Sequence, residues 1–549
     1  MDSALIYNLL FKLRYVMYKP TVASRFIFYI TCFLSVTTLL SCSSVAPKQE
    51  VKADDFTLKI IGINDFHGQV LPKDDKGGMY NLSAHLLQAI ESTSDYSFVL
   101  HAGDHVGASP AESALLQDEP SISFLNTLSQ YCIDTREQTC QVIGTAGNHE
   151  FDEGSAEMMR LLQGGNHQKG PFLDAQWAGA NYKMLSANVI DQETKAPLLP
   201  SYVVHKVNGV DIGFIGLTLD STPELVVPGA VENLVFEDQA EVANHVVKVL
   251  QEQGVNAIII IVHDGTEADY YSGNTKQKVG IDTLSQFGTF LSKLPNTVDL
   301  VVTGHSHNFT NAYFTRNNGT PLLVTQAFSS GRAYADITLT MNTVSKDVTA
   351  SVAQVMLVND APTASLSIGA TATLGKLQRL IGDAVDYAQT YTQAYISIYK
   401  PSANDIPLGQ FIANSHQYSL QTDMAIMNKG GVRADLKAGE LVWGDLFAVQ
   451  PFSNQLVVRE YTGEQLLRLI DDKQYWSSDV VIEESGQMIL RGKPIELGHT
   501  YTVGGNNYIM NSAGFSVGKH VRLGGLDIDA TVDYIKRLDA PFNLRDTPK

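Results

Sequence analysis

Cysteine is scarce in this chain, with 4 in 549 residues, beside 3 tryptophans and 19 prolines. A small disulfide-dense scaffold is therefore excluded; the length supports two or three domains at ~150 residues each, with cores of ordinary size. Positive charge is also in short supply: 39 Lys and Arg stand against 58 Asp and Glu, a net charge of -19. That balance excludes nucleic-acid binding by global charge, and it makes any anionic substrate depend on local cations such as bound metals or placed arginines. Long apolar runs are lacking too. Only residues 26–40 form one near the N-terminus, and they fall short of the ~20 residues that a membrane-spanning helix needs. With 44% hydrophobic and 18% charged residues, the composition is globular rather than disordered, collagenous or polytopic.

The apolar run follows Lys12, Arg14, Lys19 and Arg25 and ends in Leu39-Leu40-Ser41-Cys42, the order of a secretory signal peptide. A small residue before cysteine resembles the lipobox of bacterial lipoproteins, in which that cysteine is lipidated and becomes the mature terminus. The resemblance implies a signal over residues 1–41, lipidation of Cys42, and a polar tether over residues 42–55. Ser43, where Asp would favour inner-membrane retention, points to an exported protein held at the outer membrane, facing the periplasm or the cell surface. The stretch before Met17 is long for a signal, so Met17 is a second candidate start. Loss of residues 1–41 moves the net charge from -19 to -22. Cys32 leaves with the signal; in an oxidising compartment the remaining Cys132 and Cys140 are expected to pair.

Strand-like runs alternate with helical spacing from residue 56 onward. The runs lie at 58–63, 98–100, 142–143, 212–217, 258–262 and 300–302. Between them, Leu82, Leu86, Leu87 and Ile90 recur at helical spacing, as do Ala243, Val246, Val247 and Leu250 with Gly254 as a stop. This is a layered α/β pattern. It predicts a first domain over residues 56–360, a linking helix over 361–380 marked by Leu374, Leu377, Leu380 and Ile381, and a second α/β domain over 381–549.

Five of the runs are followed at once by metal-type residues: Asn64-Asp65-Phe66-His67, Gly103-Asp104, Gly147-Asn148-His149-Glu150-Phe151-Asp152, His263-Asp264 and Gly304-His305-Ser306-His307. Strand ends are where sites form in α/β sheets. Residues two apart in extended backbone face one side, so Asp65 with His67 and His305 with His307 can each reach one point. One such cluster alone reads as a helix cap or a satisfied histidine. Five in this order resemble the calcineurin-like metallophosphoesterases, and Gly-Asn-His-Glu-Phe-Asp narrows the likeness to the 5'-nucleotidase and UDP-sugar hydrolase family.

That resemblance implies a four-layer β-sandwich flanked by helices, followed by a substrate-binding domain. It implies two divalent metal ions, one held by Asp65, His67, Asp104 and His307 and the other by Asp104, Asn148, His263 and His305, with Asp104 as the bridge. Imidazole, carboxylate and amide donors suit Zn, Mn, Co or Fe. His149, paired with Asp152, is implied to stabilise the transferring phosphoryl group, while Glu150 is expected to do no chemistry. His101 and His105 flank Asp104 and are candidates for outer hydrogen-bond partners, although packing is the commoner role for such histidines.

In the second domain, Asn428-Lys-Gly-Gly-Val-Arg433 resembles the family's glycine-rich substrate loop. The likeness assigns substrate contacts to Asn428, Gly430, Gly431 and Arg433, and a pair of base-stacking rings to Phe452, within Gln450-Pro-Phe-Ser-Asn454, and Tyr508. Asn454 joins them as a contact. Two departures stand out. The Asp expected to hold ribose hydroxyls is missing from Asn511-Ser-Ala-Gly-Phe515, and an Arg expected before Leu408-Gly409 is replaced by the Asn404-Asp405 region. The resemblance implies a nucleotide substrate cleaved to nucleoside and phosphate. Phosphoanhydride or cyclic-nucleotide hydrolysis, and a non-catalytic nucleotide-binding or adhesive surface lipoprotein, are the alternatives. The expected partners are a nucleotide and, through the lipid, a membrane; the oligomeric state is left open.

Overall fold

The computed structural model describes residues 54–548 apart from 74–75, 94–95, 136–138, 228, 267–274, 277–284, 363–364, 453, 472 and 513. The expected signal peptide, Cys42 and nearly all of the tether lie outside the described residues.

Three parallel strands, β1 (Asp55–Ile63), β2 (Ser97–Ala102) and β3 (Cys140–Thr145), form the centre of a seven-stranded sheet. β1 also pairs antiparallel with Ala333–Asn342. A six-stranded sheet faces it, built on parallel β4 (Val210–Thr218), β5 (Ala257–His263) and β6 (Val298–Thr303). Period-two alternation explains the stacking. Leu58 and Ile60 of β1 join Phe98, Ile259, Ile261 and Val302 between the sheets. Ile61 and Ile63 point outward to helices that include Gly78–Glu91 and Glu119–Thr135, while Ile258, Ile260 and Val262 of β5 meet Gln239–Glu252 and Gln286–Lys293 on the other outer face. β5 is buried along its whole length, which is why it reads as an unbroken apolar run. The result is the expected four-layer sandwich. A bond between Cys132 and Cys140 ties Glu119–Thr135 to β3, with the Cα atoms 4.9 Å apart.

The linking helix differs from the expected span. It runs as α1 (Ile368–Thr392), with the Ser367 hydroxyl accepting from the Ala370 N–H at 3.1 Å as its cap. It therefore starts later than residue 361 and passes through residue 380 without a break. Its first half buries Leu374 and Leu377 in the first domain's core, and its second half buries Ala388 in the second domain's. Small residues, Ala384 and Ala388, carry that second half, so the spacing of large apolar residues revealed only the first.

The second domain has a five-stranded sheet in the order Gln474–Trp476, β7 (Met424–Asn428), Thr500–Asn506, β8 (Gln455–Thr462) and Lys519–Leu526. The helix Leu408–Leu420 and α2 (Asp527–Lys536) pack on it. Among the described residues no helix is long and apolar enough to cross a membrane.

Candidate metal centre and substrate cavity

The five clusters sit at the carboxyl ends of β1, β2, β3, β5 and β6, where the two sheets open towards one another. After β1, β2 and β6 the chain turns sharply. Asp65, His67, Asp104, His305 and His307 all adopt positive φ, between 49° and 70°, a region most L-residues enter at a cost of ~1–3 kcal/mol. Glycine at 147 is required by contact: a Cβ there would collide with Asp104 Oδ1.

These turns bring the seven expected ligands together. Donor atoms of Asp65, His67, Asp104 and His307 form one group and those of Asp104, His263 and His305 a second, each within 4.8 Å of one another. Asn148 completes the second, its Oδ1 lying 3.2 Å from His263 Nε2 and 3.0 Å from His305 Nδ1. Asp104 is common to both, with Oδ2 at 3.1 Å from His263 Nε2 and 3.8 Å from His67 Nε2.

The donor set fits two cations. His67 Nδ1–H donates to the Gly107 carbonyl at 2.9 Å, so its Nε2 carries a lone pair, yet that atom faces His307 Nε2 at 2.9 Å and two carboxylates. His263 repeats the geometry, with Nδ1 on the Ala102 carbonyl at 2.7 Å and Nε2 turned to Asp104 and Asn148; against burial, the Asp104 carboxylate raises its pKa to about 10, so a cation bound there would take the place of that proton. Lone pairs converging on one point are stable around a positive charge. Burial pushes His67 well below the ordinary imidazole range despite the Asp104 carboxylate, which keeps it in the ligating form.

His149 lies beside this centre without entering either group. Its Nδ1 meets Asp152 Oδ2 at 2.6 Å. Burial alone would lower its pKa, but Asp152 and Asp104 raise it to about 9, so the imidazole is held protonated. Asp152 does not cap the following helix Ser155–Gln163; Gly154 occupies that position without a side-chain bond.

A cavity of about 260 Å³ runs from Asn148, His149, Asp152 and His305 to a wall formed by Asn428, Gly430, Gly431, Arg433, Phe452, Asn454 and Tyr508. All seven expected substrate residues line it. Arg433 is placed by its backbone N–H on the Val449 carbonyl, and its guanidinium lies 5.7 Å from the Phe452 ring centre. Burial lowers its pKa while Asp104 and Asp152 oppose that, which marks it as the cation facing the metal centre. The Phe452 ring lies nearly parallel to His149, 6.2 Å away. Asn428 Oδ1 accepts from Asn506 Nδ2 at 2.9 Å, leaving its own amide N–H₂ for the cavity.

The two candidate helpers take the commoner packing role. His105 bonds the Ser121 carbonyl at 2.8 Å and stacks on Phe66, and His101 meets Met184 Sδ at 3.2 Å; both are core histidines. Asp405 is spent on Tyr399 Oη and the backbone N–H groups of Ser402 and Leu544, and Asn511 accepts from Arg459, so neither departure supplies a spare group to the cavity. Sequence reasoning missed Asn64, which donates to Asp65 Oδ2 at 2.6 Å and accepts from the Ala327 N–H, and it missed the reach of Glu150. Only an amide directly before Asp65, able to donate and accept at once, signalled the first.

Residues 58–309 match the calcineurin-like phosphoesterase family and residues 381–485 the 5'-nucleotidase C-terminal domain. Endonuclease YhcR of Bacillus subtilis is 30% identical over 90% of the chain, and cell wall protein Lmo0130 of Listeria monocytogenes 28% identical over 86%. The chain spans only 41% and 63% of those relatives' lengths. A solved 5'-nucleotidase precursor from Thermus thermophilus superposes with a TM-score of 0.65 at 23% identity, covering 88% of this chain and 96% of its own. With both family matches falling on the two halves of one cavity, the chain belongs to the proteins that join a calcineurin-like phosphoesterase domain to a 5'-nucleotidase C-terminal domain.

Proposed function

We propose that the protein is an exported 5'-nucleotidase, hydrolysing nucleoside monophosphates to nucleoside and phosphate. The observation that carries this reading is one cavity joining a two-cation donor set to an arginine and two aromatic rings. Asp65, His67, Asp104 and His307 hold one divalent ion, and Asp104, Asn148, His263 and His305 the other. Two such ions supply positive charge on the phosphoryl oxygens and water activated near neutral pH for in-line attack. Arg433 binds the phosphate oxygens, offsetting a chain that is otherwise strongly acidic. His149, kept protonated by Asp152, donates to oxygen as negative charge develops. Asn428 and the faces of Phe452 and Tyr508 hold the base. Purified protein supplied with Mn²⁺ or Zn²⁺ and assayed against AMP, UMP, UDP-glucose, NAD and a 2',3'-cyclic nucleotide tests this. Fastest release of phosphate from AMP or UMP is expected, and no turnover of either monophosphate refutes it.

Export and lipid anchoring at Cys42, with the outer membrane as destination, belong to the same proposal. The apolar run ending in Cys42 supports the signal and the anchor, and the relative named a cell wall protein supports export alone. Cys42→Ser should release the protein from membranes or leave it unprocessed; mass spectrometry showing an unlipidated mature terminus at another residue overturns the anchor.

A further inference from the structure

Glu150 follows His149 and lines the same cavity, yet its carboxylate joins neither ligand group and bonds the backbone of two loops. Oε2 accepts from the Asp104 N–H at 2.9 Å and the Gly147 N–H at 2.5 Å, while Oε1 accepts from His105 N–H at 2.7 Å and Val106 N–H at 3.4 Å. The residue is only 7% exposed. Asp104 and Gly147 belong to different loops, one carrying the bridging carboxylate after β2 and the other carrying Asn148 after β3. A reciprocal bond runs the opposite way, from His149 N–H to Asp104 Oδ1 at 2.9 Å. Each loop thus offers a carboxylate to the other's backbone.

From this lacing we propose that Glu150 is the positioning residue of the dinuclear centre, fixing the separation of the two cation positions without ligating either. The inference rests on the two-cation reading above. Its chemistry is specific to a carboxylate. Four N–H groups on two oxygens need acceptors on both arms, whereas an amide presents one oxygen and one N–H₂, which would face a backbone donor. A buried carboxylate beside Asp104 is costly on electrostatic grounds, and four charge-assisted hydrogen bonds with two adjacent cations offset that cost. The sharp turn at Asp104, with φ of 50°, is held in place by the same bonds.

Glu150→Gln and Glu150→Asp test it, read by Mn²⁺ titration, by electron paramagnetic resonance of the loaded protein and by kinetics on 4-nitrophenyl phosphate. In the wild type two Mn²⁺ bind and give a spin-coupled pair. In Glu150→Gln we expect Mn²⁺ affinity to fall by ~10–100-fold, as for other groups that orient metal ligands. The coupled signal should give way to isolated Mn²⁺, and kcat should drop with KM nearly unchanged, because the substrate wall is untouched. The metal-free variant should still unfold cooperatively, below the metal-free wild type by no more than the loss of buried backbone hydrogen bonds entails, so that weakened Mn²⁺ binding is not loss of the fold. Should Glu150→Gln fail to fold, Glu150→Asp keeps the charge and shortens the reach by one methylene, and weakened Mn²⁺ binding with an intact fold is the expected result. Wild-type Mn²⁺ affinity and an unchanged coupled spectrum in the folded variant overturn the inference. A wild type that binds no Mn²⁺ pair would instead refute the two-cation reading itself.

Discussion

On the first domain's side of the cavity, Asp65 and His263 are fully buried, Asp104 is 1% exposed, and five of the seven ligand positions are held at positive φ. On the second domain's side, Phe452 and Tyr508 are half buried, Asn428 ends β7, and Gly430 and Arg433 stand on the short loop that follows it. The first wall is fixed by bonds between its own loops; the second is fixed from behind, by the sheet and α2. Dinuclear chemistry tolerates little displacement of a ligand, so strained turns are retained there at the ends of fully buried strands. Recognition of a flat base tolerates more, because stacking has no directional bond to lose. Substitutions on the two sides should therefore separate catalysis from recognition.

The sharpest break is expected at the bridge. Asp104→Ala should lose most bound metal by elemental analysis and reduce kcat by more than the ~10²–10³-fold caused by removing one transition-state donor. Full activity in that variant would sink the dinuclear assignment. Next comes His149→Ala, which should keep both metals and lose ~10²–10³-fold in kcat. Because Asp152 and Asp104 hold the His149 pKa up to about 9, the protonated form is present below that pH, and kcat should decline as pH rises through it. A wild-type kcat in His149→Ala would leave the residue a packing role only.

The aromatic pair divides by position. Tyr508→Ala should raise KM for nucleotides by the equivalent of ~1–3 kcal/mol of base stacking while leaving a simple aryl phosphate nearly unaffected. Phe452 lies against His149 and beneath Arg433, so Phe452→Ala should also lower kcat on the aryl phosphate. Equal losses on both substrates for Tyr508→Ala would mean that its ring supports the fold. With the Asp that the resemblance places at the ribose missing from residues 511–515, other bases should stay within ~100-fold in kcat/KM, about 2.7 kcal/mol; stricter preference for one nucleotide would contradict this.

The same contrast explains what the sequence disclosed. Strand-end motifs announce the first wall because each ligand lies within a few residues of an apolar run, and β5 or β1 can be read by burial alone. The layered α/β pattern follows from those runs, while the four-layer sandwich is what the resemblance added. The bonds of Glu150 are not legible in the sequence because its partners are backbone N–H groups at 104–106 and 147, which carry no residue-type signal. His101 and His105 sit beside a ligand in sequence, but β2 alternation turns the first into the core and the turn at Asp104 directs the second onto Phe66. The linking helix was cut short for a related reason: its second half is buried through alanines. For the second wall only the resemblance named residues, since a loop glycine and a lone aromatic have no period.

The smallest effect concerns how that second wall is held. Asp527, 1% exposed, opens α2; its Oδ1 accepts from the Ile528 N–H at 2.8 Å, and its backbone N–H donates to the Asn454 carbonyl at 2.8 Å. One turn on, the Thr531 hydroxyl donates to Gln450 Oε1 at 2.9 Å. Both ends of the Phe452 loop are therefore tied to α2. Burial raises the Asp527 carboxyl to about 7, opposed by bonds from Ile528, Asn454 and Gln450. The folded value lies above the unfolded ~3.9, so the contribution to stability is complete below the unfolded value. It declines as the unfolded chain ionises first and is lost once pH passes about 7. Asp527→Asn keeps the Oδ1 acceptor and cannot ionise. Its melting temperature relative to wild type should therefore rise between pH 4.5 and 8, by on the order of a few degrees. Over the same interval KM for AMP should climb more in the wild type than in the variant, because ionised Asp527 loosens the loop behind Phe452. Metal loss at low pH affects both proteins alike and cancels in the difference. Parallel melting curves across that range would show that the Asp527 carboxyl is already ionised in the folded protein at pH 4.5, and that the second wall, like the first, is held by charge.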